Sequence, residues 1–441
     1  MFLGMVIFLF ALAIFDLWVG VSNDAVNFLN SAIGSKAAKF KTIVAIAAAG
    51  VFCGAVMSDG MMDIARHGVF RPEMFYFKEI MYILLAVMVT DIVLLDVFNT
   101  LGMPTSTTVS MVFELLGATF ALTMFKMADS AAAGLSFGDF MNTDKALQMI
   151  VAIFLSVAIA FVFGALIQYL ARIVFTFNYH SKLRWKIGIF GGLAVTSIVY
   201  FMLFKGLKHL AFMTDDVMAY INDNVGLVLG GCFIFFTILM QILHFCKVNV
   251  FRVVVLIGTF ALATAFAGND LVNFIGVPLA GLSSYEYWTA AGAGDPMMFK
   301  MDQLNGPAGT PLVFLIGAGV IMVVSLATSK KAHNVVKTSI NLSSKDEGDE
   351  MFGSSRVARS LVRWGNSVGE TMVRITPARV RHYIDSRFQA PEQPAAQGVT
   401  FALVRASINL VVAALLIALG TSLKLPLSTT YVTFMVAMGS R

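Results

Sequence analysis

Ser22-Asn23-Asp24-Ala25-Val26-Asn27-Phe28 closes one long apolar run, and Gly268-Asn269-Asp270-Leu271-Val272-Asn273-Phe274 closes another. A carboxylate between two carboxamides is costly in hydrocarbon, so one copy already asks for a function. Two copies in matching settings ask for an internally duplicated membrane protein with a polar site between its halves.

Composition agrees. Of the 441 residues 58% are hydrophobic and 13% charged, about half the charge of a soluble domain. Mean hydropathy is +0.81. The net charge of +5 sits largely in a few loops and reads as a cytoplasmic-side bias, not as a nucleic-acid surface. Cys53, Cys232 and Cys246 lie in apolar stretches without paired spacing and read as small core residues. The N-terminus lacks a basic region before its apolar run, so it reads as a retained helix.

Apolar periodicity predicts crossing segments near 2–21, 42–58, 80–101, 104–125, 148–171, 187–207, 225–246, 250–267, 311–328 and 399–423, with a last one opening near 426. That last pattern is incomplete at Arg441, which predicts a short or truncated element. Basic clusters at Lys36, Lys39 and Lys41, at Arg172, Lys182, Arg184 and Lys186, at Lys247 and Arg252, and along 330–398 all fall on one side if the N-terminus is outside. The helix entering Asp24 then comes from outside, and the helix entering Asp270 from the cytoplasm. The expected fold is therefore an all-α polytopic membrane protein of two inverted-topology repeats, with broken helices or re-entrant hairpins.

A second duplication supports this plan. Pro104-Thr105-Ser106-Thr107-Thr108 matches Pro426-Leu427-Ser428-Thr429-Thr430, and Gly117 and Gly439 follow each proline at the same spacing. Asp24 and Pro104 are 80 positions apart, Asp270 and Pro426 156. The excess matches the polar stretch 330–398, which reads as a cytoplasmic insertion whose part 351–388 is an amphipathic helical hairpin on anionic lipid. The divisions are 1–125 as the first repeat, 126–249 as connecting helices, 250–329 as the start of the second repeat, 330–398 as the insertion and 399–441 as its end.

A carboxylate at membrane depth needs a cation, a proton or a basic partner, and neither motif holds Lys or Arg. Carboxylate and carboxamide oxygens suit a small hard cation such as Na⁺, so Asn23, Asp24, Asn27, Asn269, Asp270 and Asn273 are the candidate cation ligands. Gly20 and Gly268 are expected to let the helices break and free carbonyls. The plainer reading, asparagines as interhelical glue, loses force once the motif is duplicated. Pro followed by Ser-Thr-Thr marks a helix start, so Ser106, Thr107 and Thr108, with Ser428, Thr429 and Thr430, offer N–H groups and hydroxyls to an oxyanion. A single copy would read as ordinary capping. Asp16, Asp91, Asp96 and Glu114 lie in apolar runs as candidate relays or further cation ligands, or as helix-facing polar residues. The histidines show no metal-ligand spacing, no phosphate loop of the P-loop type occurs, and no nucleophile–base pair suggests an enzyme.

These paired motifs resemble those of the inorganic phosphate transporter family, whose members include sodium–phosphate symporters, proton-coupled phosphate permeases and some sulfate permeases. The resemblance covers 1–125 and 250–441. Val21-Ser22 replaces the usual Gly-Ala and Ala25-Val26 the usual Val-Ala, while Leu271 and Val272 depart in the second copy; Asp and both Asn residues hold in each. The resemblance implies inverted repeats, a transport domain against a scaffold, a homodimer, phosphate at the Ser-Thr-Thr tips, and cations at Asp24, Asn27, Asp270 and Asn273. The expected function is import of inorganic phosphate across the cell membrane by symport with cations, Na⁺ favoured over H⁺ and no cofactor needed. The alternatives are sulfate transport, or a channel or phosphate sensor on the same fold.

Overall fold

Two unusually long helices cross one another's length, and everything else is arranged around them. The computed structural model describes residues 1–58, 62–103, 105–128, 135–175, 185–200, 202, 220, 223–306, 309–329, 356–388, 402–425 and 427–441. Its helices are α1 (Phe2–Gly34), α2 (Phe40–Val56), α3 (Asp63–His67), α4 (Phe77–Thr100), α5 (Thr107–Met127), α6 (Phe137–Phe140), α7 (Thr143–Phe175) and α8 (Lys186–Val199). The second half supplies α9 (Val225–Phe245), α10 (Val250–Ala290), α11 (Leu312–Thr328), α12 (Arg356–Ile375), α13 (Ala378–Arg387), α14 (Leu403–Ser422) and α15 (Thr429–Gly439). Among the described residues there is no strand, only isolated bridges of Phe70 with Met141 and Tyr76 with Lys300. Among the described residues seven helices, α1, α4, α5, α7, α9, α10 and α14, are long and apolar enough to cross a membrane, and α2, α8 and α11 are shorter apolar helices.

The chain is thus a helical membrane protein. Outward side chains agree: Phe154 and Val162 on α7 and Phe235 on α9 are 66%, 57% and 62% exposed. In water such faces would be a liability; against lipid tails they are the solvent-matched surface. The expectation of core cysteines fails here. Cys53 and Cys246 are exposed and Cys232 is half-buried: Cys53 and Cys232 sit on helix faces turned from the packed centre, and Cys246 caps the end of α9.

α1 and α10 run antiparallel. Phe2 meets Trp288, Gly20 meets Phe274 and Phe28 meets Phe266, so contacts climb one helix as they descend the other. The expected helix breaks at Gly20 and Gly268 are absent. α1 is 33 residues and α10 is 41, continuous through both Asn-Asp motifs. Gly20 serves close approach instead: a Cβ there would lie 2.2 Å from the Phe274 ring. The Gly268 carbonyl, far from being freed by a break, accepts a hydrogen bond from Ser58 Oγ at 3.1 Å. Small residues likewise seat α2 on α10, where a Cβ on Gly50 or Gly54 would strike the carbonyls of Phe260 or Thr264 at 2.4 and 2.2 Å.

Two helical hairpins close on this pair from opposite faces. The α4–α5 hairpin begins and ends on the face that holds Phe2 and Trp288. Phe77 stacks on Trp288 at 4.8 Å, and Lys126 near the end of α5 pairs with Glu79 near the start of α4 at 2.7 Å. The α14–α15 hairpin begins and ends on the other face. Arg405 Nε donates to Ser440 Oγ at 3.0 Å and Nη2 to the Ala437 carbonyl at 2.6 Å, tying the base of one arm to the end of the other. α7 backs this second hairpin, with Gly164 and Gly439 allowing backbone-to-backbone approach. Within the insertion, α12 and α13 are helical as expected. Arg387 at the end of α13 donates to the carbonyls of Ile173 and Val174 at 2.7 and 2.8 Å, which docks α13 on the end of α7. The remainder of the expected insertion, 330–355 and 389–398, lies outside the described residues, as do Pro104, Pro426, Lys182 and Arg184.

Candidate functional site

The hairpin tips meet at the two Asn-Asp motifs, in the interior of the protein. Ser106 and Ser428 are the N-cap residues of α5 and α15, and their hydroxyls accept from the N–H groups of Val109 and Tyr431 at 3.2 and 3.1 Å. This capping directs the next two threonines of each tip inward. Thr107, Thr108 and Thr429 are each 1% exposed, while Asp24 and Asp270 are fully buried.

The threonines divide their hydroxyls between the two aspartates. Thr107 Oγ1 donates to Asp24 Oδ2 at 3.1 Å, and Thr429 Oγ1 makes the equivalent short bond to Asp270 Oδ2. The second threonine of each tip crosses over. Thr108 Oγ1 donates to Asp270 Oδ1 at 3.3 Å, and Thr430 Oγ1 stands between two acceptors, Asp24 Oδ1 at 3.1 Å and the Thr105 carbonyl of the other tip at 2.9 Å. Each aspartate is therefore held by one hydroxyl from each hairpin. The outer asparagines cross as well: Asn27 Nδ2 donates to Thr430 Oγ1 at 3.0 Å, and Asn273 Nδ2 to Thr108 Oγ1 at 3.0 Å and Thr107 Oγ1 at 3.1 Å. Asn27 Oδ1 accepts from Thr433, whereas Asn273 Oδ1 is buried with no hydrogen-bond partner.

The inner asparagines do a different job. Asn23 Nδ2 donates to Asn99 Oδ1 at 2.8 Å and to the Met103 carbonyl at 3.0 Å, and Asn23 Oδ1 accepts from the Thr105 N–H at 2.9 Å. Asn269 Nδ2 donates to the Leu427 carbonyl at 2.9 Å, and its Oδ1 accepts from Thr421 at 3.3 Å. Both carboxamides clasp the loop between the arms of a hairpin. The Asn23 oxygen is occupied by a backbone N–H and has less to give a cation, while the Asn269 oxygen, like that of Asn27, meets only a threonine hydroxyl. Asn23 and Asn269 thus brace the tips, and Asp24, Asn27, Asp270 and Asn273 carry the oxygens that meet the tip threonines or, at Asn273 Oδ1, no partner.

The chemistry of this cluster is that of two carboxylates, two inward carboxamides and four hydroxyls without a single basic side chain among its hydrogen-bonding partners. Such a set fits hard monovalent cations on its oxygens and an oxyanion on its hydroxyls and helix starts. Two cavities flank it. One of about 220 Å³ is lined by Asn27, Ser31, Asn409, Thr430 and Thr433. The other, about 540 Å³, is lined by Thr105, Ser106, Ser110 and Glu114, and Tyr431 belongs to the walls of both. Sequence reading missed Asn99, Thr105, Asn409 and Thr433. Asn99 and Asn409 carried a signal, each a carboxamide within an apolar run; Thr105 and Thr433 declare themselves only through tertiary contact.

Comparison with known proteins gives the same direction. A sequence profile of the phosphate transporter family matches residues 20–339. No curated protein matches the chain in sequence. A solved structure, "The sodium-dependent phosphate transporter", shares the fold at a TM-score of 0.65 and 17% identity, over 99% of this chain and 89% of that one.

Proposed function

Because the chain belongs to the phosphate transporter family, we propose that it imports inorganic phosphate by symport with cations, Na⁺ in first place and H⁺ as the alternative. The observation that carries this reading is the crossed sharing of Thr107, Thr108, Thr429 and Thr430 between Asp24 and Asp270. Cation and oxyanion ligands are then the same cluster, and neither half supplies a site alone. Cations on Asp24 with Asn27, and on Asp270 with Asn273, would neutralise the carboxylates. A threonine hydroxyl has one proton to donate, so a carboxylate engaged by Na⁺ releases that proton toward a phosphate oxygen. With no arginine present, the positive charge that holds phosphate travels with it, which couples the two fluxes. The name of the structurally similar transporter favours sodium.

In this reading the antiparallel α1 and α10, with a hairpin entering from each face, are the cores of two inverted-topology repeats. The N-terminus lies outside, 330–398 in the cytoplasm and the protein in the cell membrane as a homodimer. Single cysteines placed in α12 of a cysteine-free variant should resist an impermeant thiol reagent in intact cells and react after lysis; labelling before lysis would reverse the orientation. The transport reading is tested by radiolabelled phosphate uptake into proteoliposomes under imposed sodium or proton gradients, with sulfate as competitor. Uptake should follow the sodium gradient and resist sulfate. Accumulation driven by neither gradient would sink symport, and equal competition by sulfate would sink phosphate selectivity.

A further inference from the structure

The first hairpin carries polar chemistry that the cluster above does not use. Ser110 Oγ on α5 lies 2.5 Å from Asp91 Oδ1 on α4 and 2.8 Å from Glu114 Oε1 one turn along α5. A serine hydroxyl has a single proton to donate. It satisfies one of these carboxyls; the other contact closes only when that carboxyl carries its own proton and donates to Oγ. The hydrogen-bond inventory thus calls for a proton in this group.

Asp16 adds an independent observation from another helix. It is completely buried in α1, no ordinary donor reaches either of its side-chain oxygens, and its carboxyl lies within hydrogen-bond reach of the Asp91 carboxyl, a contact that itself needs a proton. Asp91 Oδ2 and Glu114 Oε2 likewise meet no ordinary donor. Carboxylates this close in a low dielectric do not all ionise without a counter-charge. Among the described residues no counter-charge is recorded against them. α1 also carries Asp24; α4 also carries Asp96, with Lys78 and Glu79 in its first turn; α5 has Lys126 in its last turn; α10 has Asp270, with Arg252 and Glu286 toward its two ends; and α2 has Lys41 in its first turn. α11, which packs on α1, has no charged residue, and the hydrogen bonds that join α14 and α15 to α1 reach it at Asp24, Asn27 and Ser31. Among the described residues the one ion pair, Lys126 with Glu79, sits at the base of the hairpin. No group of three or more acids, histidines or cysteines among those residues is arranged to hold a metal ion, these carboxyls included. The group is not sealed either: Glu114 and Ser110 share the wall of the cavity of about 540 Å³ with Thr105 and Ser106 of the tip.

The geometry points to a proton-binding site formed by Asp16, Asp91, Glu114 and Ser110, between α1 and the first hairpin and apart from the Asn-Asp cluster. Solvent entering the cavity protonates Glu114. The Glu114 O–H then donates to Ser110 Oγ while the serine proton moves to Asp91, so one proton passes from Glu114 to Asp91 and the serine is restored. Asp16 is the further acceptor. Because the site includes both arms of a tip-bearing hairpin, its occupancy makes uptake pH-dependent whichever cation drives transport.

Infrared spectroscopy of the purified protein at neutral pH, without phosphate, reads the proton directly. The carbonyl stretch of protonated carboxyls should be present and should weaken in Glu114→Gln and in Asp91→Asn. It should persist when sodium is titrated in, and Ser110→Ala should shift its pH midpoint without erasing it. A band unchanged by both carboxyl substitutions, or one erased by sodium in the parent but not in Glu114→Gln, overturns the assignment. This measurement is independent of whether the protein carries phosphate. In proteoliposomes, Glu114→Gln mimics the protonated side chain, so its uptake should vary less between about pH 6 and about pH 8 than the parent's, phosphate's own titration being common to both. Identical pH profiles would remove the site from transport. Glu114→Asp, which keeps the titratable group, should restore the dependence.

Discussion

The two hairpins end in the same chemistry and are built differently everywhere else. Each tip is a Ser cap followed by two threonines that reach Asp24 and Asp270 in crossed fashion. Below the tips the likeness stops. The first hairpin has arms of 24 and 21 residues and holds Asp91, Ser110 and Glu114 in its interior. The second has arms of 20 and 11 residues with no acid in either, and Arg405 ties their bases together. The glycines after the two prolines sharpen the contrast. A Cβ on Gly439 would lie 2.2 Å from the Phe161 carbonyl of α7, while Gly117 has nothing within 4 Å. The tips are alike where they meet the same two aspartates, and each body packs against its own neighbours.

The comparison breaks most visibly at the carboxylates. Asp24→Asn and Asp270→Asn should each abolish gradient-driven phosphate uptake while the protein stays monodisperse in detergent, because each removes the charge that would hold a cation in the proposed symport. If one variant transports near the parent rate, the two tips do not serve one site. Packing should separate the hairpins next. Gly439→Ala forces a methyl against backbone and should cost about 1–3 kcal/mol, read as a lower unfolding temperature in a fixed detergent. Gly117→Ala enters open space and gains the helix preference of alanine, so it should be neutral or stabilising by up to about 1 kcal/mol. Equal shifts in the two variants would contradict the packing described.

Smaller and symmetric effects are expected at the hydroxyls. Thr107→Val and Thr429→Val keep shape and lose the donor, and a hydrogen bond to a charged group is worth roughly 1.5–3 kcal/mol, so half-maximal uptake should need about tenfold more phosphate or beyond. One silent substitution beside one severe one would assign the anion to a single tip. Smallest of all should be Lys126→Gln. Its ion pair with Glu79 and its place over the Tyr76 ring, 4.6 Å from the centroid, lie at the base of the hairpin, far from the tips. Loss of roughly 1 kcal/mol is expected in thermal unfolding, with uptake unchanged.

Much of the site is legible in the residues because burying polar groups is costly: an Asp between two asparagines in an apolar run, twice, has few explanations. What escaped reading is what depends on tertiary partners. Gly20 and Gly268 have the same local tendency to break a helix as any glycine, and only the neighbouring Phe274 and Ser58 show why the helices continue. Asn23 and Asn27 are one turn apart and alike in composition, yet one clasps a loop and the other faces the site. That Thr430 serves Asp24 of the other half, and Thr108 serves Asp270, follows from antiparallel packing that no local pattern encodes. Gly117 and Gly439 share a spacing and not a role.

The crossing has a cost that falls during biosynthesis. Thr430 lies 406 positions beyond Asp24, so the carboxylate enters the membrane long before its second hydroxyl exists. At about 5–20 residues per second, the ribosome leaves that acid incompletely satisfied for tens of seconds. Asn27 waits as long for the same threonine. The first half must be carried through that interval by insertion machinery, by water or by a bound ion, and a nascent chain arrested before α14 should be recognised as unfinished however well its own helices have formed.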